Sequence, residues 1–278
     1  MFTLNAGGKL LAVDRPIVMG IINRDPDSFY SGSRWPDNSG LLAQAEKMLA
    51  EGADWLDIGG QSTRPGAISV GEAEELRRVV DAIGLLHRRW PEVPLSVDTW
   101  RARVAREAVA AGACIVNDIS GGILDPDMLP VVGRLGVPYI CMHMKGRPET
   151  MNQEAVYDNV VTEVLDFFIR RIEECRRAGI NDIILDPGFG FAKTAAHNFQ
   201  LLRRLELLKV CGKPLLVGVS RKSTIYKTLG ISPEEALNGT TVLHTLGLLH
   251  GADILRVHDP KEARETIRLL AAYHMAQS

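Results

Sequence analysis

Apolar and polar positions recur along this chain in a fixed order: an amphipathic stretch, a glycine, a short apolar run and a polar tip. Eight such runs finish at Asn23, Asp57, Asp98, Asn117, His143, Asp186, Ser220 and Arg256. Three of the lead-ins are near copies: Glu51-Gly52-Ala53-Asp54, Ala111-Gly112-Ala113-Cys114 and His250-Gly251-Ala252-Asp253. A glycine there suits the left-handed cap that ends a helix, and the run after it reads as a buried parallel strand. The pattern predicts strands at 16–23, 55–57, 95–98, 115–117, 138–143, 183–186, 215–219 and 254–257. Helices are expected between them, the first at 40–50 and the longest at 155–178. In the longest, Val156, Val160, Val164, Phe167, Phe168 and Ile172 share one side, with Arg and Glu on the other. Together these units predict an α/β fold, the (β/α)8 TIM barrel, whose active site lies where the strand ends converge.

Length fits one such barrel, since 278 residues without a Pro- or Ser-rich linker leave a single domain over 1–278 as the expectation. Hydrophobic residues at 46% and charged residues at 24% are ordinary for a globular chain. A formal net charge of −2 argues against a broadly basic surface, so no nucleic-acid partner is expected. No apolar run approaches the length of a membrane span, and residues 1–15 show no secretory pattern. Cys114, Cys141, Cys175 and Cys211 lack metal-ligand spacing and read as free thiols, which points to the cytoplasm.

Two connections on the expected active face are long, 24–39 after the first strand and 58–70 after the second. Loops of that size are usually lids or binding loops. Passive insertions would be bland and polar, whereas these carry Asn23, Asp25, Asp27 and Phe29, then Thr63, Arg64 and Pro65.

The motifs run, in order, Asn23 with Pro26-Asp27-Ser28-Phe29, then Asp57-Ile-Gly-Gly-Gln-Ser-Thr-Arg-Pro-Gly-Ala67 and Ser96-Val-Asp98-Thr99. Val116-Asn117-Asp118-Ile-Ser-Gly-Gly122, Met142-His-Met144, Leu185-Asp186-Pro-Gly-Phe-Gly-Phe191, Ser220-Arg-Lys222-Ser223 and Arg256-Val-His258-Asp259 complete the set. In this order, each at a strand end, they resemble the dihydropteroate synthases of folate biosynthesis, a pterin-binding TIM-barrel family. The resemblance spans nearly the whole chain. It implies a transferase that joins (7,8-dihydropterin-6-yl)methyl diphosphate to 4-aminobenzoate, giving 7,8-dihydropteroate and pyrophosphate. A dissociative, Mg2+-assisted substitution is implied, with sulfonamides as inhibitors and a homodimer as the assembly.

By this resemblance Asp98, Asn117, Met142, Asp186, Phe191, Gly218 and Lys222 form the pterin site. Carboxylates and an amide suit the N–H-rich pterin edge, Lys222 suits its acceptor side, and Met142 and Phe191 are apolar walls. Thr63, Arg256, Val257 and His258 take the diphosphate, and Asn23 is the Mg2+ ligand, a cation that binds largely through water and phosphate. Phe29, Thr63, Arg64, Pro65, Ser220 and Ser223 form the aminobenzoate site. Asn23, Lys222, Arg256 and His258 carry the catalytic roles. In isolation each Asp could be a helix cap, Asn117 and Asp118 a turn, Arg256 a structural salt bridge and His258 a satisfied core histidine.

The chain departs from the family in loop one, with Arg24-Asp25 where Val-Thr is usual and Tyr30-Ser31-Gly32-Ser33 where Asp-Gly-Gly is common. It also has Gln61 where Glu is commoner. Unchanged chemistry with altered loop behaviour is expected. A methyltetrahydrofolate-dependent methyltransferase would share the pterin pocket but needs no diphosphate site. A pterin-binding paralogue with little activity is the other alternative.

Overall fold

The computed structural model describes residues 2–23, 38–61, 70–151 and 153–276. A hairpin, β1 (Phe2–Ala6) and β2 (Lys9–Val13), precedes the barrel. The barrel strands are β3 (Ile17–Asn23), β4 (Trp55–Gly59), β5 (Leu95–Asp98), β6 (Ile115–Asp118), β7 (Tyr139–Met142), β8 (Ile183–Asp186), β9 (Leu216–Val217) and β10 (Ile254–Val257). All neighbours pair in parallel in the order β8-β7-β6-β5-β4-β3-β10-β9, and a single Leu185–Leu215 bridge closes the ring. Helices α1 (Asn38–Ala50), α2 (Glu72–Arg89), α3 (Ala102–Ala110), α4 (Met128–Leu135) and α5 (Val160–Arg177) alternate with the strands. The series continues with α6 (Ala195–Arg203), α7 (Ser223–Leu229), α8 (Leu237–Leu249) and α9 (Pro260–Met275). This is the expected (β/α)8 barrel.

The three copied lead-ins share one geometry. Gly52, Gly112 and Gly251 have φ of 101°, 121° and 92°, where a Cβ is strained. The following N–H reaches back five residues in each case: Ala53 to Met48 at 2.9 Å, Ala113 to Ala108 at 3.0 Å and Ala252 to Gly247 at 2.9 Å. That bond caps the helix and turns the chain directly into its strand.

Strand alternation then sorts side chains into two layers. Outward residues such as Leu56, Val97, Val116, Cys141, Leu185 and Leu255 join the helices in one large core. Inward residues Ile17, Met19, Trp55, Ile115, Ile140, Ile184, Leu216 and Ile254 fill the barrel, and Leu4 and Val13 of the hairpin plug its lower end. Two residues further along four of the strands the same inward face turns polar. From Trp55 it reaches Asp57, from Ile115 Asn117, from Ile184 Asp186 and from Ile254 Arg256. The apolar floor and the polar mouth are successive layers of one alternation.

Two expectations change. The long helix starts at Val160, because Asn159 Oδ1 accepts the Val161 and Thr162 N–H groups and caps it there. Val156 therefore lies outside the helix and is 73% exposed. The strands expected at 138–143 and 215–219 are shorter, Tyr139–Met142 and Leu216–Val217. His143 consequently faces the outer layer, its ring edge-on to Phe167 at 4.9 Å, and Met142 takes the inward position.

Candidate active site

The mouth is organised around Arg256 on β10. Its guanidinium donates to Asp57 Oδ2 at 2.6 Å and to Asp98 Oδ2 at 2.7 Å, joining β10 to β4 and β5. Asp57 Oδ2 also accepts the Asn117 amide N–H at 3.0 Å. The second oxygens, Asp57 Oδ1 and Asp98 Oδ1, are buried without a partner among the described residues. Such acceptors are costly in isolation and suit a ligand rich in N–H donors. Asp57 is absent from the site residues expected from sequence, although it was one of the eight polar tips. Its position in the alternation pointed inward; its partners are set by the barrel's register.

Across the ring, Asp186 Oδ1 accepts the Gly188 N–H at 2.8 Å. Lys222 donates to the Phe189 carbonyl and lies 4.8 Å above the Phe191 ring. A Cβ at Gly218 would lie 3.8 Å from Lys222 Nζ and 4.0 Å from both Asp186 Oδ2 and the Arg256 Cβ. Gly218 thus opens the space between these three side chains. Met142 is buried in an apolar cluster with Ile119, Met144, Met151 and Ala192, against which Phe191 packs. Asp118, next to Asn117, faces outward and accepts from Ser120 N and Oγ, Gly122 N and Tyr139 Oη, all at 2.7 Å. The turn role fits Asp118, and the inward position belongs to Asn117.

His258 follows β10. Its backbone N–H donates to Ser220 Oγ at 3.2 Å, and its Nδ1 lies 3.1 Å from the same oxygen. Ser220 Oγ thus meets both the backbone N–H and the ring of His258. Ser220 is therefore engaged in orienting His258. Ser223 opens α7 and is half-buried. Val257 points into the outer core, so its side chain does not reach the mouth. Asn23 ends β3; a Cβ on Gly59 would lie 3.3 Å from its Oδ1 and 3.6 Å from Asp98 Oδ2, which puts the amide at the rim beside Asp98. Phe29, Thr63, Arg64 and Pro65 lie outside the described residues, as do Arg24, Asp25 and the Tyr30-Ser31-Gly32-Ser33 stretch. Gln61 is buried and donates to Glu75 Oε2 at 3.0 Å.

Burial governs the charges here. It pushes the Asp98 carboxyl up to about 7 against the pull of Arg256, while Asp57 adds to the push. Asp186 is raised by burial too, opposed by Lys222 and the Gly188 N–H. Burial lowers Lys222 to about 8, with Asp186 opposing. Burial works against the Arg256 charge, but Asp57 and Asp98 overcome it and hold the guanidinium protonated. Burial and then Arg256 push His258 down to about 3, so its imidazole is held neutral. Arg256 is likewise no idle cation awaiting phosphate: two carboxylates hold it.

An apolar-walled mouth lined with carboxylates, an amide and two cations defines a barrel enzyme for a flat, N–H-rich heterocycle. A family model described as pterin binding enzyme matches residues 19–258, and the chain belongs to that family. It is 42% identical over 271 residues to dihydropteroate synthase of Escherichia coli (strain K12), covering 97% of this chain and 95% of that one. The Yersinia pestis dihydropteroate synthase, solved as a sulfonamide drug complex, superimposes with a TM-score of 0.93 at 42% identity, covering 99% and 100% of the two chains. The Xanthomonas albilineans enzyme with 4-aminobenzoic acid gives a TM-score of 0.90 at 42% identity, covering 98% of each chain.

Proposed function

We propose that this chain is a dihydropteroate synthase, condensing (7,8-dihydropterin-6-yl)methyl diphosphate with 4-aminobenzoate and releasing pyrophosphate. The observation that carries it is the inward polar layer of Asp98, Asn117, Asp186 and Lys222 around the gap at Gly218, beside Arg256. The pterin's N–H edge would be held by Asn117, Asp186 and the open oxygen of Asp98, and its acceptor side by Lys222. Met142 and Phe191 would flank the ring. Arg256 and His258 would face the diphosphate, where negative charge grows as the carbon–oxygen bond breaks. The pterin methylene cation left behind is captured by the amine lone pair, and the amine's proton passes to solvent. No general base or covalent intermediate is required. Phe29, Thr63, Arg64, Pro65, Ser220 and Ser223 would contribute to the aminobenzoate side. That the Xanthomonas albilineans relative holds 4-aminobenzoic acid supports this second substrate, and the Yersinia pestis complex supports sulfonamides as inhibitors.

The residues fit Mg2+. Among the described residues no group of three or more His, Cys, Asp or Glu could hold a metal. Asn23 instead places a single amide oxygen at the rim, which suits a hard cation completed by water and diphosphate oxygens. When bound, Mg2+ would neutralise the departing pyrophosphate.

The working unit would be a cytoplasmic homodimer of one barrel domain. All four cysteines are free thiols, as a reducing compartment allows. No described helix is long and apolar enough to cross a membrane. Val242, Leu246 and Leu249 of α8 and Leu269 and Tyr273 of α9 are exposed on adjacent helices, an apolar surface a second copy would cover.

The test is to mix the protein with Mg2+, the dihydropterin methyl diphosphate and 4-aminobenzoate and to follow pyrophosphate and dihydropteroate together. Equal yields are expected. Pterin binding without turnover would leave a paralogue with little activity, and no pterin binding would overturn the assignment.

A further inference from the structure

The segment between β8 and α6 carries much of the pterin pocket: Asp186 at its start, the Phe189 carbonyl that meets Lys222, and the Phe191 wall. It lies hard against the tip of β7. Gly188 has φ of 70°, and a Cβ there would fall 2.0 Å from the His143 carbonyl oxygen. At the centre of this contact sits the Lys193 ammonium. Its Nζ is 3.0 Å from the Gly188 carbonyl, 3.0 Å from the Phe191 carbonyl, 3.3 Å from the His143 carbonyl and 2.9 Å from His143 Nδ1. One cation thus ties the β7 tip to two points of the pocket-forming segment.

We propose that Lys193 is a positioning residue for pterin binding, a clamp that fixes Gly188 and Phe191 against His143 and so sets the Phe191 wall and the orientation of Asp186. The proposal rests on the pterin reading of the site. Lys193 need not touch substrate. An ammonium has three protons for these four acceptors, whereas a neutral amine has two and leaves more of them unmet. His143, wedged against Phe167, is held neutral by burial and then by Lys193 and Lys145, and because an ammonium can only donate, its Nδ1 accepts from Lys193. The charged groups bearing on Lys193 are Asp186 from β8, Lys222 ahead of α7 and Lys145 beyond β7. Burial lowers the ammonium to about 7, with Asp186 opposing, so the clamp is mostly charged below that pH and loses its charge above it.

The experiment compares wild type, Lys193→Met and Lys193→Arg by steady-state kinetics across pH, with thermal melts as the folding control. For folded K193M, the KM for dihydropterin methyl diphosphate should rise roughly tenfold or more, as expected when charge-assisted bonds are removed. The kcat at saturating pterin should stay within about threefold, because the chemical groups are intact. The ratio of mutant to wild-type KM should be largest near pH 6 and shrink above about pH 8, where wild-type Lys193 is itself neutral. A pterin KM within about twofold of wild type, or a loss confined to kcat, would overturn the proposal. If K193M does not fold, K193R decides. Its permanent charge should remove the wild-type weakening above neutral pH, and a profile parallel to wild type would count against the clamp. A wild-type control that makes no dihydropteroate would instead sink the functional assignment.

Discussion

Replacing Asp57 by asparagine isolates the carboxylate that holds the mouth together. Asp57 is fully buried, and its Oδ2 accepts from Arg256 at 2.6 Å and from Asn117 at 3.0 Å. Asparagine keeps the size and an acceptor oxygen but removes the charge. A hydrogen bond to a charged partner contributes about 1.5–3 kcal/mol. At about 1.4 kcal/mol per decade, kcat/KM should fall about 10- to 150-fold, through misplacement of Arg256 and Asn117. A second consequence is independent of that magnitude. The Asp57 charge is one cause of the raised Asp98 value near 7, so its removal should let Asp98 ionise at lower pH. The acid limb of the kcat/KM profile should therefore move to lower pH in Asp57→Asn. Pyrophosphate release measured from about pH 5.5 to about 8.5 reads both effects. A folded variant with kcat/KM within about twofold of wild type and an unmoved acid limb would refute the reasoning.

Gly218→Ala should fold normally, because the added methyl meets only ordinary contacts, yet should weaken pterin binding by filling the gap beside Lys222 and Asp186; calorimetric titration with a pterin checks it. Tyr139→Phe removes the buried donor to Asp118 on the outer face and should cost about 1.5–3 kcal/mol in urea unfolding while kcat/KM stays put. His244, buried on α8 with Nε2 lacking a partner among the described residues, is lowered by burial from 6.5 to about 4. Between those values the unfolded chain takes a proton that the folded chain refuses, so stability falls as pH drops from about 6.5 to about 4; His244→Leu should relieve up to about 3 kcal/mol of that loss, read from urea midpoints at each pH.

The barrel was legible because its strands announce themselves twice, by glycine caps before them and polar tips after them. The hairpin was equally available, with Gly7-Gly8 between two runs, but the two strands are short and half exposed and carry little apolar signal. Val156 shows where periodicity misleads: the apolar spacing continued past the point where Asn159 stops the helix. In the mouth, residue types pointed to Asp98, Asn117, Asp186, Lys222 and Arg256, whereas pairings were invisible. Asp57 meets Arg256 across 199 residues of sequence, and only barrel closure brings them together. The tie of Ser220 to His258 was likewise invisible, because it spans two strands. Lys193 escaped notice because its partners are mostly backbone carbonyls, which sequence does not reveal.

The ring's thinnest joint, the two-residue β9 and the lone Leu185–Leu215 bridge, runs through the middle of the site. Asp186 stands on one bank and Gly218 and Lys222 on the other. A pterin gripping both banks would act as a rivet across the one place where the staves are weakly fastened. In the free protein, amide hydrogens along this joint should exchange with solvent sooner than those of the central strands. Bound pterin should slow them in proportion to one plus its concentration over Kd. Substrate binding would then be the last step in closing the barrel.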